Sequence, residues 1–136
     1  MIPTDPFSIL LVDDDSGLRF LLRRFLLAQK YQVYEAGDGT IGLRQFERIQ
    51  PDLVLLDICM PRMDGITLLQ AIRRQNQTIG ILMISANRPK QLGVNLLEIG
   101  ADGYVPKPFQ LPEIAPELQR LETLVMLRRA HENTND

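Results

Sequence analysis

Two patterns of hydrophobic residues alternate along the chain. One is a short, almost unbroken apolar run, which is typical of a strand buried on both faces of a sheet. Such runs occupy residues 8–12, 53–56 and 79–84, and residues 31–35 and 104–105 are further strand candidates. The pattern therefore predicts five strands, three of which carry this buried-strand signature.

The other pattern places apolar residues at the spacing of one helix face. After Ser16, which suits a helix cap, leucines and a phenylalanine fall on such a face. The helix after Ser16 is followed by four more candidates, over 39–49, 65–75, 89–99 and 111–130. Pro89 suits a first helical turn and Gly100 suits a helix end, which supports the fourth of these five helices.

Strands and helices thus alternate five times, and this alternation predicts a parallel sheet with helices on both faces. A chain of 136 residues is the usual size for one domain. We expect residues 1–124 to form that domain. Residues 125–136 are expected to extend the last helix and to end in a frayed polar tail.

The last predicted helix carries more apolar residues than one face needs. One stripe can face the sheet and consists of Leu111, Ile114, Leu118, Leu121 and Val125. Three others fall off that stripe, namely Leu124, Met126 and Leu127. A helix over residues 112–130 is roughly 28 Å long and strands span only ~17–20 Å, so we expect an overhang of about two turns. The surplus residues either cover a neighbouring helix or support a symmetric dimer or a coiled-coil lead into a further domain.

Composition limits the kinds of partner. The net charge of −2 and the pI of about 5.4 give no overall basic field, so direct nucleic-acid binding is not expected. No apolar run approaches the ~20 residues of a membrane span, and residues 1–6 lack the features of a signal peptide. The single cysteine, Cys59, excludes an internal disulfide and fits a reducing compartment. We therefore expect a cytoplasmic protein without membrane contact.

Polar side chains follow four of the predicted strands. In an open parallel sheet, ligands bind beyond the carboxyl ends of the strands, so these side chains should converge at one edge. They are Asp13, Asp14, Asp57, Ser85 and Lys107. Two like charges 4 Å apart repel by roughly 4 kcal/mol at an effective dielectric near 20. Oxygen ligands without a histidine or thiolate cluster favour a hard cation, Mg²⁺ before Zn²⁺.

Such an edge has the parts for phosphoryl chemistry. A carboxylate nucleophile beside the cation, Asp57, could form an aspartyl-phosphate. Lys107 would offset the phosphoryl charge, and Ser85 could donate a hydrogen bond. A single Asp after a strand is often only a helix cap, and Asp15 or Ser16 fits that simpler role. The joint pattern at several strand ends is harder to explain in that way.

The motifs that carry these residues resemble those of one family. They are Leu-Val-Asp-Asp-Asp at 11–15, the stretch 55–65 around Asp57, Ile-Ser-Ala at 84–86, and the stretch 100–109 around Lys107. In this order and spacing, the chain resembles the receiver domain of two-component response regulators from residue 8 to about 124. The expected fold is a flavodoxin-like (βα)5 fold, a doubly wound parallel sheet of five strands in the order 2-1-3-4-5.

The resemblance implies a role for each matching residue. Asp57 is the implied phosphoacceptor. The implied Mg²⁺ ligands are Asp13, directly or through water, Asp14, Asp57 and the backbone carbonyl of Cys59. Ser85 and Lys107 are implied to contact the phosphoryl group.

Two further implied features concern switching. Tyr104 is the implied aromatic switch residue, although a half-buried strand aromatic is the simpler interpretation of its pattern. The bond between Lys107 and Pro108 is usually cis in the family. Cys59 and Asn87 lie where the family varies and where the dephosphorylation rate is tuned, so the lifetime of the phosphorylated state stays open.

The implied function is a signalling switch rather than an enzyme. The chain would take a phosphoryl group from a sensor histidine kinase or a histidine phosphotransfer protein. Its only chemistry would be self-catalysed phosphotransfer and autodephosphorylation. Phosphorylation would change partner binding through the surface around residues 86–124. The receiver is either a stand-alone protein that acts on a downstream partner or a fragment that lacks its output domain, and a homodimer through the last helix is possible.

Three alternatives compete with this interpretation. A phosphorylation-independent module would keep the fold for binding alone, but the complete site argues against it. An aspartyl-phosphate phosphatase like the haloacid dehalogenases needs an acid two residues after the nucleophile, where this chain has Cys59. An FMN carrier of the flavodoxin class should offer phosphate donors in its first loop, whereas Asp13, Asp14 and Asp15 would repel a phosphate without a metal.

Overall fold

Five parallel strands form the centre of the molecule. The structure is a computed structural model that describes residues 6–86, 93 and 95–134. The strands are β1 Ser8–Val12, β2 Gln32–Ala36, β3 Leu53–Asp57, β4 Gly80–Ser85 and β5 Gly103–Pro106. Their order in the sheet is β2-β1-β3-β4-β5, and every neighbouring pair is parallel. The predicted topology is therefore confirmed, with strand ends that differ from prediction by at most one residue.

Four α-helices are described around this sheet. They are α1 Ser16–Ala28, α2 Gly39–Ile49, α3 Gly65–Gln75 and α4 Ile114–Thr134, the last preceded by a 3-10 turn at Leu111–Glu113. An aspartate caps each of the first three helices, and its side chain accepts a hydrogen bond from a backbone N–H of the first turn. These caps are Asp15, Asp38 and Asp64. Of the two cap candidates for α1, the structure selects Asp15 rather than Ser16.

The core has two layers because the central strands are buried on both faces of the sheet. β3 and β4 are buried along their whole length, and β1 is buried after its first residue. One face of the sheet packs on α2 and α3, and the other packs on α1 and α4. This arrangement explains the unbroken apolar runs, since residues of both parities must be apolar when both faces are covered.

Part of the helix predicted over 89–99 lies outside the described residues, because 89–92 and 94 are not among them. The described residues 96–100 form turns rather than a regular helix. Gly100 ends this segment with φ +119, which only glycine adopts readily. A Cβ at Gly100 would also lie 2.6 Å from the Cγ of Arg73, so the position needs glycine for space as well.

The apolar stripe of α4 is largely as predicted. Ile114, Leu118, Leu121 and Val125 are fully buried, and Leu111 packs partly buried against the same cluster. The helix ends at Thr134, four residues later than predicted, and it passes through residue 124 without a break. The division into residues 1–124 and 125–136 stays a prediction.

The overhang of about two turns predicted for α4 stays a prediction, because two arginines near its end contact the loops before the strands. The guanidinium of Arg128 donates to the carbonyl of Ile79 at 3.1 Å, and the guanidinium of Arg129 donates to Asp52 at 2.7 Å. These long side chains reach the loops below the strands, which extend the surface that the helix covers. Among the described residues, 130–134 follow these contacts, a little over one helical turn.

Candidate functional site

The carboxyl edge of the sheet brings together the acidic residues that the sequence singles out. Asp13 and Asp14 follow β1, and Asp57 is the last residue of β3. Carboxylate oxygens of these three residues all lie within 4.8 Å of one another. Lys107, just after β5, places its Nζ 3.0 Å from Oδ2 of Asp13 and 3.5 Å from Oδ2 of Asp57. The convergence predicted from the strand order is therefore present.

Asp13 is held more firmly than its neighbour Asp14. Its backbone N–H donates to the carbonyl of Ala36 on β2 at 3.2 Å, and its Oδ1 accepts from the N–H of Asp15 at 2.9 Å. Its own carbonyl accepts from the guanidinium of Arg19 at 2.6 Å. Asp13 is buried, whereas Asp14 is exposed. One acid is thus fixed by the fold, while the other faces the groove and solvent.

The electrostatics of Asp57 set it apart from an ordinary surface aspartate. Burial raises the pKa of Asp57 to about 6, and the negative charge of Asp13 adds to this effect while Lys107 opposes it. Burial alone would lower the pKa of Lys107, but its hydrogen bond to Asp13 and the charges of Asp13 and Asp57 raise it instead. The cluster thus holds three carboxylates and one ammonium group, which pairs with two of them, so it keeps a deficit of positive charge.

This deficit and the donor atoms fit a hard divalent cation. All three side chains offer oxygen, and their oxygens are close enough to share one ion. Mg²⁺ prefers a few carboxylates and keeps further positions for water or phosphate oxygens. The backbone carbonyl of Cys59 as an additional ligand stays a prediction, and Cys59 itself is exposed. Which of the acids bind the ion directly also stays a prediction.

The loop after Asp57 is folded tightly against the acids. The N–H of Ile58 donates to the carbonyl of Ile84 at 3.1 Å, and the N–H of Gly65 donates to the carbonyl of Ile58 at 2.8 Å. A Cβ at Gly65 would lie only 2.1 Å from the carbonyl oxygen of Asp57, so this turn excludes any other residue. The loop borders an open groove of about 580 Å³, whose lining includes Asp14 and Cys59.

Ser85 and Tyr104 lie together on the other side of Asp57. Ser85 ends β4 and is fully buried. Its carbonyl accepts from the N–H of Lys107 at 2.8 Å and from the hydroxyl of half-buried Tyr104 at 3.4 Å. The bond between Lys107 and Pro108 is cis, as the resemblance implies. The structure therefore places both proposed switch residues in contact, and their roles in switching stay predictions.

Two contacts near the site were missed by the sequence analysis. Arg19 binds the carbonyl of Asp13, and Arg62 pairs with the buried cap Asp38 at 2.8 Å across two loops. The available signal for Arg19 was its place in the first turn of a helix, where a cation opposes the helix dipole. No such signal was available in the sequence for Arg62. Its left-handed conformation, with φ +69, is visible only in the structure.

Comparison with known proteins identifies the class of domain that this fold and site define. The family model described as the response regulator receiver domain matches residues 9–119. The chain belongs to this family, and the resemblance stated from the motifs is confirmed. Receiver domains are phosphoacceptor modules of two-component signalling, generally not enzymes, and their general function is a phosphorylation switch. They bind Mg²⁺ at an acidic pocket.

Individual relatives agree with this assignment. Response regulator MprA of Mycobacterium sp. (strain KMS) is 39% identical over 116 residues, which cover 85% of this chain and 50% of that protein. Transcriptional regulatory protein RprY of Bacteroides fragilis (strain YCH46) is 36% identical over 129 residues, which cover 95% of this chain and 53% of that protein. The chain thus spans about half the length of the curated relatives it matches.

Solved structures show the same fold over most of the chain. A CheY-like receiver domain protein from Methanospirillum hungatei JF-1 has a TM-score of 0.84 at 26% identity, with 93% of this chain and 99% of that chain covered. The chemotaxis protein CheY4 of Vibrio cholerae has a TM-score of 0.77 at 30% identity, with 85% of this chain and 98% of that chain covered.

Among the described residues, no helix is both long enough and apolar enough to cross a membrane.

Proposed function

We propose that the chain is a phosphorylation switch in which Asp57 accepts a phosphoryl group from a sensor histidine kinase or a histidine phosphotransfer protein. The observation that supports this most directly is the placement of Asp57. It is a buried carboxylate within 4.8 Å of Asp13 and Asp14, with the ammonium of Lys107 at 3.5 Å. A cytoplasmic location is part of the proposal.

The transfer step uses the residues of this edge. A carboxylate oxygen of Asp57 attacks the phosphorus of a phosphohistidine, the P–N bond breaks, and the imidazole of the donor leaves with a proton. Mg²⁺ bound by Asp13, Asp14, Asp57 and the carbonyl of Cys59 would offset the charges of the carboxylates and the phosphoryl oxygens. Lys107, which bridges Asp13 and Asp57, exchanges its contact with Asp57 for a phosphoryl oxygen. Water then attacks the phosphorus of the aspartyl-phosphate, the P–O bond to Asp57 breaks, and inorganic phosphate leaves; this is the autodephosphorylation that we expect of this chain.

The conformational response begins at Ser85. Its hydroxyl lies at the end of β4, beside the strand that carries Asp57, and we infer that it donates to the phosphoryl group. Because the carbonyl of Ser85 also accepts from Tyr104, a shift of Ser85 alters the support of the Tyr104 ring. The surface around residues 86–124, part of which lies outside the described residues, then changes its affinity for a downstream protein or an output domain.

The test is phosphorylation by acetyl phosphate with Mg²⁺, followed by intact mass measurement. Wild type should gain one phosphoryl group, whereas Asp57→Asn should gain none. Lys107→Ala should retain labelling but lose most of the conformational response. Glu98→Gln is a matched control, because Glu98 is an exposed acid outside the cluster. Equal labelling of wild type and Asp57→Asn would exclude Asp57 as the acceptor.

A homodimer through α4 is a separate proposal on partners. Met126 and Leu127 are 53% and 64% exposed, and Leu124 is half-buried. Exposed apolar patches often mark protein–protein contacts, and we infer that a second copy covers this one. Sedimentation of wild type and of the double variant Leu124→Glu with Leu127→Glu tests it. A wild type that stays monomeric at high concentration, phosphorylated or not, removes the dimer.

A further inference from the structure

Arg19 connects three segments directly beneath the acidic cluster. It lies in the first turn of α1, and its Nη1 donates to the carbonyl of Asp13 at 2.6 Å. Its Nε lies 3.4 Å from Oε1 of Glu35 on β2. A Cβ at Gly37 would come within 3.3 Å of the same Nη1, so the chain leaves room for the guanidinium there. The side chain is 21% exposed, and its head is largely enclosed.

This position is unfavourable for a cation by local criteria. The first turn of a helix carries partial positive charge, which favours acids and opposes arginine. Nε is buried without a well-aligned hydrogen bond, although Glu35 is close enough for an ion pair. By the dipole criterion alone, a neutral residue would suit this turn better. The arrangement is therefore explained by what the guanidinium holds rather than by the needs of α1.

What the guanidinium holds is the backbone of the site. The N–H of Asp13 is tied to Ala36 on β2, and the carbonyl of Asp13 is tied to Arg19. The carbonyl belongs to the planar peptide unit that also contains the nitrogen of Asp14. Fixing that unit fixes the directions in which the side chains of Asp13 and Asp14 leave the backbone.

We propose that Arg19 is a positioning residue for the cation site: it orients the peptide unit between Asp13 and Asp14, so that both carboxylates face Asp57. The proposal rests on the function proposed above for this edge. Arg19 acts through Asp13 and Asp14, and it contacts neither the phosphoryl group nor the cation. Glu35 in turn holds the guanidinium in place.

Charge and position predict opposite results for this residue. If Arg19 acted only as a nearby positive charge, its removal would strengthen Mg²⁺ binding, because cation–cation repulsion would fall. If Arg19 positions the acids, its removal weakens Mg²⁺ binding. Arg23 offers a matched control, since it pairs with the same Glu35 at 3.5 Å from the next turn of α1. Its removal changes the charge equally and leaves the contact with Asp13 intact.

The experiment titrates Mg²⁺ alone into wild type, Arg19→Gln, Arg19→Lys and Arg23→Gln by calorimetry. Loss of a partner that orients metal ligands typically weakens binding 10- to 100-fold, so we expect the dissociation constant to rise by about tenfold in Arg19→Gln. Arg23→Gln should stay within about twofold of wild type. Arg19→Lys keeps the charge but cannot span both partners, and we expect partial rescue. Amide exchange of residues 13–18 in EDTA should accelerate in Arg19→Gln and not in Arg23→Gln.

Equal or tighter Mg²⁺ binding by Arg19→Gln overturns the proposal and leaves Arg19 as a simple charge. If Arg19→Gln does not fold, Arg19→Lys provides the test. An unchanged Mg²⁺ dissociation constant in that variant excludes a positioning role. Phosphorylation is followed separately. Arg19→Gln should need more Mg²⁺ and reach the same maximal rate of labelling. A wild type that binds Mg²⁺ but is never labelled at Asp57 refutes the proposed function without refuting the role of Arg19.

Discussion

At the carboxyl edge of the sheet, the carboxylates of Asp13, Asp14 and Asp57 lie together, and the ammonium of Lys107 pairs with those of Asp13 and Asp57. At the opposite edge, where the strands begin, the single carboxylate of Asp102 is paired with two arginines. Arg73 from α3 donates to it at 2.8 Å, and Arg128 from α4 donates at 3.0 Å. The two clusters lie at opposite ends of the strands of one sheet, and one has an excess of acids while the other has an excess of arginines.

The cluster at Asp102 is fully bonded within the fold. Asp102 also accepts from the N–H of Ile81 at 2.9 Å, and Arg73 donates to the carbonyls of Gly100 and Ile79 at 2.8 Å each. Burial lowers the pKa of Arg73, and the charge of Asp102 opposes that effect. The network joins α3, β4, the start of β5 and α4, so its charges are structural.

The difference shows how each edge is used. Charges that are neutralised and bonded within the chain stabilise the fold and leave no capacity for a ligand. Carboxylates that stay short of positive charge destabilise the apo fold and create affinity for a cation, as expected for a functional site. Four predictions test this contrast, from the largest expected effect to the smallest.

The largest effect is expected at the balanced edge. Asp102→Ala removes the only acid that pairs with buried Arg73 in the part of the chain that the structure describes, and breaking a buried pair in this way costs about 3–5 kcal/mol. Urea denaturation should show that loss in the free energy of unfolding. Glu117→Gln is the control, since it breaks only the exposed pair with Arg120 and should change stability by less than about 0.5 kcal/mol. A loss below about 1 kcal/mol for Asp102→Ala would contradict the structural role.

The second effect concerns Mg²⁺ at the unbalanced edge. Binding to the folded state alone should stabilise wild type by about 2.7 kcal/mol at a hundredfold excess over the dissociation constant. Asp14→Asn should melt at a higher temperature than wild type in EDTA and lose most of the gain from Mg²⁺. Thermal melts with and without Mg²⁺ measure both. A variant that is less stable than wild type in EDTA would make Asp14 a structural residue.

The third effect is the pH dependence of Asp57. Its pKa of about 6 in the fold exceeds the ordinary value of about 3.9, so the folded state binds this proton more tightly than the unfolded state does. The resulting stability is full below pH 4 and is lost as the pH rises through 6. In EDTA at pH 7.5, Asp57→Asn should therefore be more stable than wild type by about 2 kcal/mol. The difference should vanish near pH 4, and a difference that is constant with pH would refute this cause.

The smallest effect is expected for Arg129. It pairs with Asp52 at 2.7 Å, but its side chain is 41% exposed, and exposed pairs contribute at most about 1 kcal/mol. Arg129→Ala should thus cost less than about 1 kcal/mol in urea denaturation, whereas Arg128→Ala should cost more. Equal losses of unfolding free energy for these two variants would show that the burial of Asp102 does not make its pair with Arg128 stronger than an exposed pair.

The sequence predicted the sheet and the acidic cluster for a single physical reason. Strands covered on both faces need unbroken apolar runs. The end of each run shows where its strand ends, so the polar residues that follow can be placed at one edge of the sheet. The resemblance then supplied roles for Asp57, Ser85 and Lys107. These residues can be identified without knowing how the helices pack.

The charge pairs at Asp102, Asp38 and Arg19 could not be predicted in the same way. Each joins residues from separate elements, and scattered arginines and aspartates ordinarily indicate a solvated surface. Their pairing depends on how the helices pack on the sheet, and no local sequence pattern predicts that packing. The end of α4 was missed for a related reason. Residues 131–134 are polar but contain no glycine or proline, so nothing stops an exposed helix from continuing.

Cys59 gives the protein a native attachment point for a spectroscopic label. It is the only cysteine of the chain, it is exposed, and it lies two residues after Asp57. A maleimide dye or a fluorinated tag would therefore react at one known place without any engineered residue. The chain also contains no tryptophan, so a tryptophan introduced near this loop would be the sole indole fluorophore and could serve as the energy donor for that dye.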